Sequence, residues 1–388
     1  MFSGDPNAPQ PLPAGPAPSA AYDAQMPGYY GAAMAECSSC GGAGCPGCMG
    51  IAGFLARGAS WLLPFSEAGI CAPRWYDITA DFVYLQRDNA GRQMDFASQG
   101  ILGPIVLSTN SLEFDPSGAL QLTAATQVTA GGTLEFTFLG LNNWESAASV
   151  TSDSDDLFSV ISDFGTNPLL GYDETDRART QSISYSSSVD SFELHFRKRW
   201  QGPNCRLQGS WLAGARYIYL LEDFQYFTLG GDYDPLPGLQ SRGQMTYDVR
   251  AKNSVTGFQC GGDIWTCVIP GVSFGGEMKA GIYGNYAQQS THIIATTTVP
   301  AQTNEAYEND TTGALSFVGQ GSVTLVYKTS PNWALRGGYT FLFLDGVALA
   351  PENFIATAPF STARPAPSVN DNGNVFLHGF TAGVEWMW

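Results

Sequence analysis

From Trp75 onward, long stretches of the chain alternate apolar and polar residues with a period of two. In SFELHFRKRW, residues 191–200, the even positions are apolar apart from Lys198, and the odd positions carry most of the charge. A period of two predicts β-strands with one apolar and one polar face. The same alternation recurs in the ranges 75–87, 131–140, 210–224, 273–287, 315–328, 333–346 and 378–388.

These alternating stretches are about 10 to 14 residues long, close to the ~9–11 residues with which a tilted strand crosses a bilayer. Charged residues make up 14% of the chain, well below the ~25% of soluble domains. The sequence contains no run of 18 apolar residues, so no membrane-spanning helix is predicted. The chain also ends on an apolar strand face, in HGFTAGVEWMW. We therefore predict an all-β fold, an antiparallel transmembrane β-barrel of about 12 strands within a range of 10–14.

The connections between the predicted strands differ in length. Short joins lie near 199–206 and 328–333, whereas longer polar ones cover 88–118, 151–180, 223–245, 290–314 and 345–374. Short turns at one end and long loops at the other are typical of outer-membrane barrels.

The first 70 residues differ from the rest, and we predict two regions, 1–70 and 71–388. Residues 1–35 are rich in Pro, Ala and Gly and predict a mostly unstructured arm. Residues 51–62 predict a short amphipathic helix. The first 18 residues lack the charged start and apolar stretch of a signal peptide, so the expectation of export rests on the remainder of the chain.

Four cysteines lie between the arm and this helix with the spacing C-x2-C-x4-C-x2-C: Cys37, Cys40, Cys45 and Cys48. Two C-x-x-C pairs supply the four thiolates of a zinc site, and in an oxidising compartment the same residues form disulfides or links between chains. Both interpretations stay open. Cys260 and Cys267 flank GGDIWT, and we expect them to close a small loop if the protein is exported and a turn separates them.

Six charged residues lie on strand faces opposite the aromatic side chains. On the lipid side each would cost roughly 2–4 kcal/mol at mid-depth, so we expect them to face the lumen. They are Arg197, Arg199, Arg216, Glu277, Lys279 and Arg336. Such residues either fill a narrow barrel with salt bridges or line a channel and bias ion selectivity.

No catalytic constellation emerges from the sequence. GVSFG, residues 271–275, matches the G-x-S-x-G motif, which requires a helix after the serine, but the alternation continues past Ser273 as in a strand. His195 lies near Glu193 without a nucleophile, and both fit a polar lumen. The net charge of −17 argues against a nucleic-acid partner, which requires a basic face.

The segments WYDITADFVYLQR, LQGSWLAGARYIYLLEDF, WALRGGYTFLFLDGVALAPENF and FLHGFTAGVEWMW resemble, in order and spacing over about 75–388, the beta-barrel porin family of bacterial outer membranes. The resemblance implies an outer-membrane location and a barrel with a pore. We expect a passive channel for small solutes or ions without covalent chemistry, and no cofactor beyond zinc at the N-terminal cysteines. The alternative is a secreted or cell-surface β protein, a sandwich with its aromatic residues inside, cross-linked through those cysteines. Expected partners are membrane lipid, small solutes or ions, the barrel-assembly machinery through the C-terminal strand, and a second copy of the chain.

Overall fold

The computed structural model describes residues 64–66, 74–88, 92–167, 175–203, 206–231, 243–298, 301–357, 366 and 368–387. The predicted arm at 1–35, the four N-terminal cysteines and the predicted helix at 51–62 lie outside these ranges. Within them, no helix combines the length and the hydropathy required to cross a membrane.

The described residues form fourteen β-strands and three short 3₁₀ turns, at Thr109–Ser111, Val160–Ser162 and Pro351–Asn353. The strands are β1 (Ile78–Arg87), β2 (Asp95–Gln99), β3 (Ile105–Ser108), β4 (Ser117–Thr129), β5 (Gly132–Gly140), β6 (Trp144–Thr151), β7 (Leu157–Ser159), β8 (Ala178–Gln201), β9 (Leu207–Gly230), β10 (Gln244–Ile269), β11 (Val272–Thr298), β12 (Ala301–Lys328), β13 (Trp333–Val347) and β14 (Gly373–Trp386).

Ten of the described strands pair in a closed antiparallel ring, in the order β8, β5, β4, β1, β14, β13, β12, β11, β10, β9 and back to β8. Strand β6 continues the wall beyond β5, where Trp144–Thr151 pair with the far half of β8. Strands β2, β3 and β7 form a small patch of sheet next to this far half of β8. The all-β antiparallel prediction is confirmed, with ten strands in the ring and fourteen in all, the two limits of the predicted range.

Tight turns join the strands at one end, which we call the short-turn end. β4 and β5 are joined through Gly131, and β10 and β11 through Gly271, with φ angles of +71° and +84° that favour glycine. The backbone N–H of Phe65 donates to the carbonyl of Lys328 at 2.8 Å. The chain therefore approaches β1 from the short-turn end.

Five strands are much longer than the predicted 10–14 residues. β8 and β9 have 24 residues each, and β12 has 28. The predicted loop at 290–314 is wrong, because most of it belongs to β11 and β12, and strand also covers parts of 223–245. The predicted turn between Cys260 and Cys267 is wrong as well, since β10 runs through both residues.

A band of large apolar side chains covers the outer surface next to the short-turn end. In β1, Phe82 and Tyr84 are 58% and 47% exposed, while the alternating residues Val83 and Leu85 are at most 2% exposed. Tryptophans mark the edge of the band nearest the turns and tyrosines the opposite edge: Trp200, Trp211 and Trp333, then Tyr84, Tyr217, Tyr286 and Tyr339. Aromatic belts on the outside fit a membrane barrel and oppose the soluble sandwich, which needs them inside.

The polarity of the two faces reverses partway along the strands. In β11, Ile282 points outward and is 69% exposed, whereas Lys279 is buried inside. Farther along the same strand, Ile293 is fully buried and His292 faces outward. The part of the barrel next to the short turns is therefore apolar outside and polar inside. The remainder, which we call the projecting half, has the opposite arrangement, as a water-soluble domain does.

Candidate functional site

A layer of ionised side chains fills the lumen at the level of the outer apolar band. It combines six carboxylates with five cations, joined by ion pairs within 4 Å. The carboxylates are Asp81, Glu135, Glu193, Asp263, Glu277 and Glu385; the cations are Arg74, Arg197, Arg216, Lys279 and Arg336. We call this set the charged layer. Buried charges are tolerated where each has partners of opposite sign.

Arg197 of β8 is the most connected member of the charged layer. Its guanidinium donates to both carboxylate oxygens of Glu135, from Nε at 3.0 Å and from Nη2 at 2.9 Å. Nη2 also donates to Glu277 at 2.7 Å, and Nη1 pairs with Asp263. Because these acids lie on β5, β11 and β10, one side chain ties together four strands of the ring.

Glu193, four residues before Arg197 on the same inward face of β8, organises the neighbouring part of the layer. Its carboxylate accepts from Lys279 Nζ at 2.8 Å and lies 3.4 Å from Arg216 Nη2. Gln259 Nε2 donates to it at 3.0 Å. His195 Nε2 is 3.5 Å away and contacts Gln259 rather than a nucleophile in the described part of the chain.

The charged layer continues across the remaining wall. Arg336 of β13 reaches Asp81 of β1 at 3.1 Å and Glu385 of β14 at 3.3 Å. Arg74, just before β1, also pairs with Glu385. Tyr76 donates to Glu135 at 2.7 Å and so joins this part of the layer to that around Arg197.

Little space remains within the charged layer. Its internal cavity has a volume of about 60 Å³ and is lined from nine of the ten ring strands. Since one water needs about 10–15 Å³ of such space, the cavity holds only a handful of waters. In this conformation the lumen is filled at the level of the band.

An apolar core fills the lumen of the projecting half. Inward side chains of the long strands contribute to it, together with the start of the connection between β13 and β14. Residues 347–350, the last residue of β13 and the first three of this connection, are at most 1% exposed. The Phe354 ring lies 4.3 Å from Tyr247 and 5.1 Å from Phe96, centroid to centroid. We call Val347–Phe354 the plug segment.

Polar side chains of the barrel wall hold the backbone of the plug segment. Asn253 of β10 donates to the carbonyl of Ala348 at 2.8 Å and accepts from its N–H at 2.7 Å. Glu222 of β9 accepts from the N–H of Ala350 at 2.9 Å. Gln289 of β11 donates to the carbonyl at position 353 at 3.3 Å. The plug segment is thus fastened to three successive strands.

One titratable group of the plug segment lies close to this core. Glu352 belongs to the turn Pro351–Asn353 and is half-buried. Burial raises the pKa of its carboxyl above the ordinary value, and the charge of Glu222 adds to the effect. A hydrogen bond to the backbone of Arg92 opposes the shift.

The structure places all six predicted lumen residues on the inner face. Five belong to the charged layer, and Arg199 lies half-buried at the short-turn mouth. Sequence reasoning missed Asp81, Glu135, Asp263 and Glu385, although each is an acid between apolar neighbours in an alternating strand, a usable signal. Arg74 precedes the first strand and carried no such signal.

The remaining candidates are also resolved where the structure describes them. Ser273 lies inside β11 and pairs with Cys267 and Val326, so no helix follows it as the nucleophile motif requires. Cys260 is a free, outward-facing thiol, whereas Cys267 is disulfide-bonded and faces inward. The predicted bond between these two cysteines is therefore wrong. Their separation by seven positions in a continuous strand puts them on opposite faces.

The described ranges contain no group of three or more His, Cys, Asp or Glu side chains placed to hold a metal ion. Every carboxylate of the charged layer is instead matched to a cation or hydrogen-bond donor. The predicted cysteine site at 37–48 lies outside these ranges and stays a prediction.

Comparison with known families decides the relationship of the chain. The sequence model of the family described as Putative beta barrel porin-7 matches residues 126–388. The chain belongs to this family. The predicted resemblance to barrel porins is confirmed. No curated protein matches this porin-family chain.

Several solved structures resemble this porin-family chain distantly. The outer membrane protease OmpT from Escherichia coli is 11% identical with a TM-score of 0.36, over 82% of this chain and 100% of that one. The toluene transporter TodX from P. putida is 8% identical with a TM-score of 0.24, over 81% and 91%. A FadL homologue from Pseudomonas aeruginosa is 8% identical with a TM-score of 0.23, over 80% and 89%. Similarities this distant do not identify a function for this chain.

Proposed function

We propose that the protein is a bacterial outer-membrane β-barrel that passes small ions or solutes passively, and that its lumen stays closed until the plug segment leaves it. The observation that carries this proposal is the plug segment itself, which is buried in the lumen and hydrogen-bonded to three strands. No covalent chemistry is part of the proposal.

Three features support the membrane location. Large apolar side chains on the outside of the ring are concentrated next to the short turns. At the same level the lumen is charged, an arrangement that suits a lipid surround and would be unstable in water. The disulfide at Cys267 fits an exported protein, because disulfides persist in oxidising compartments.

The two layers of the lumen have different roles in this proposal. Departure of the plug segment opens the projecting half down to the charged layer. Ions then meet side chains of both signs, which set the selectivity. The small cavity at this level favours ions over metabolite-sized solutes.

Membrane insertion is tested by heat-modifiability. Outer-membrane fractions are dissolved in mild SDS, and the gel mobility of unboiled and boiled protein is compared. We expect two different mobilities, because a closed barrel with all strands paired resists SDS until it is heated. A single mobility, with the protein in the soluble fraction, would remove the membrane proposal.

Closure by the plug segment is tested by conductance in planar bilayers with Asn253→Ala. The substitution removes both hydrogen bonds to Ala348, a loss of about 2 kcal/mol, so open events should become at least about tenfold more frequent. Lys252→Ala, on the outer face of the same strand, is the matched control and should behave as the natural protein. Equal conductance in all three proteins would contradict gating by this segment.

The proposed partners follow from the same geometry. Lipid surrounds the apolar band, and ions or small solutes use the lumen. The C-terminal strand β14, which closes the ring between β1 and β13, is the proposed contact of the barrel-assembly machinery. A homo-oligomer remains a prediction.

A further inference from the structure

A second cavity lies at the mouth of the barrel at the short-turn end, between the short turns and the charged layer. Its volume is about 230 Å³. Its walls come from the segment before β1 and from the adjoining ends of β8, β9 and β10. The residues that matter here are Arg74, Arg199, Gln208, Asp263 and Trp265. A cavity needs only about 10–15 Å³ to hold one water, so this one has room for a small organic molecule.

The acceptor groups around this cavity already have donors. Asp263 pairs with Arg197 and also accepts from Ser210 Oγ at 2.8 Å. The side-chain oxygen of Gln208 accepts from the backbone N–H of Arg74 at 2.9 Å. Glu385, the partner of Arg74, also forms an ion pair with Arg336. The acids near the mouth are therefore matched within the protein.

Several donors around the same cavity lack an acceptor. Gln208 is 7% exposed, and its Nε2 is buried without a hydrogen-bond partner among the described residues. Arg74 Nε is in the same situation. The Arg199 side chain forms no ion pair with any carboxylate in the described part of the chain. Buried donors are normally hydrogen-bonded, so the two buried unmatched donors, Gln208 Nε2 and Arg74 Nε, call for an external acceptor beside the half-buried cation Arg199.

The site is also held in shape. The guanidinium carbon of Arg74 lies 3.7 Å from the ring centroid of Trp265, a cation–π contact that fixes the arginine against the wall. The amide of Gln208 is oriented by the hydrogen bond from the Arg74 backbone. An incoming ligand would therefore meet donors that are already positioned.

We propose that this mouth cavity binds a small oxyanion, a carboxylate or a phosphate, that enters from the short-turn end. Its oxygens accept from Arg199, Gln208 Nε2 and Arg74 Nε. Both ligand types supply the charged acceptor oxygens that arginine recognises. The site goes beyond the proposed channel, because binding requires no movement of the plug segment.

The test is isothermal titration calorimetry on the full chain folded in detergent, with inorganic phosphate and succinate titrated separately. We expect one anion per chain, and the tighter probe identifies the source of the oxygens. Arg199→Gln and Gln208→Leu should each weaken binding about tenfold, the effect of losing one hydrogen bond to a charged group. Arg250→Gln is the matched control, since Arg250 lies on the outer wall paired with Asp223, and it should bind as the natural protein does.

The outcomes separate clearly. The site would be overturned if neither phosphate nor succinate binds. It would also be overturned if Arg250→Gln weakens binding as much as Arg199→Gln does. Arg199 is only half-buried, so Arg199→Gln decides the question even if Gln208→Leu fails to fold, as judged by the SDS gel shift. Because calorimetry does not depend on conductance, failure of this site and failure of the gating proposal are distinguished.

Discussion

Glu222 accepts a hydrogen bond from the backbone N–H of Ala350 at 2.9 Å, through Oε2. Its other oxygen accepts from Arg87 Nη2 at 2.6 Å, and Tyr185 donates to the carboxylate at 2.7 Å. A single buried acid on β9 thus connects the plug segment to β1 and β8. The same side chain therefore contacts both the barrel wall and the plug segment.

Replacing Glu222 with Gln should destabilise the projecting half strongly. The change leaves Arg87, 2% exposed, without its countercharge, and breaking a buried ion pair costs about 3–5 kcal/mol. Asp223→Asn removes the exposed pair with Arg250 and should cost at most about 1 kcal/mol. Urea unfolding of the detergent-folded proteins measures both. Equal stabilities of the two variants would contradict the role of Glu222.

Replacing Arg197 with Ala should destabilise the membrane-level part of the barrel. Glu135, Asp263 and Glu277 would lose their shared cation, a loss of roughly 3–5 kcal/mol. The temperature at which the SDS-resistant band converts to the unfolded band should fall. Lys198→Ala, an outward neighbour that donates to the carbonyl of Ala130, should leave that temperature almost unchanged. Conversion of both variants at the natural temperature would show that the ion pairs contribute little.

A lysine in place of Ile282 should impair insertion. Ile282 is 69% exposed in the middle of the apolar band, where a lysine facing lipid costs about 2–4 kcal/mol. Ser290 lies farther along β11 on the polar part of the outer face, so the Ser290→Lys protein should insert normally. The yield of SDS-resistant barrel in lipid vesicles measures the difference. Equal yields would mean that the boundary between band and projecting half is wrongly placed.

Closure by the plug segment should become stronger as the pH falls through the pKa of Glu352. Burial raises this pKa in the folded protein, so the folded state binds the proton more tightly than the unfolded state. A raised carboxyl pKa therefore favours the folded plug at low pH and disfavours it as the pH rises. Open events in planar bilayers should be fewer at low pH, and Glu352→Gln should remove most of that dependence. A pH response that persists unchanged in the variant would assign it to another group.

The strands of the apolar band were predictable because their pattern is local. Alternation predicts a strand in 191–200, 333–346 and 378–388; the first two lie within β8 and β13, and β14 covers the third up to Trp386. The lipid cost of a charge put Arg197 and its five companions on the inner face. Alternation also indicates which residues share a face, but it does not indicate which strands are neighbours in the ring.

The projecting half escaped prediction because the polarity of the two faces reverses there. In β11 the outward positions become Gln288, Ser290 and His292, while Ile293 turns inward. If the apolar residues are assumed to face outward along the whole strand, the strand is predicted to end at this reversal and 290–314 is predicted to be a loop. The strand continues because its neighbours β10 and β12 continue beside it.

The sequence by itself determined the β architecture, the lipid-facing band and the charged character of the lumen residues. These follow from a period of two and from the cost of exposing charge to lipid. The tertiary structure alone decided that the lumen is filled. Arg197 meets acids from β5, β10 and β11, and Glu222 meets Ala350 across 128 residues of chain. Such contacts depend on ring closure and on the path of a long connection, which no local pattern encodes.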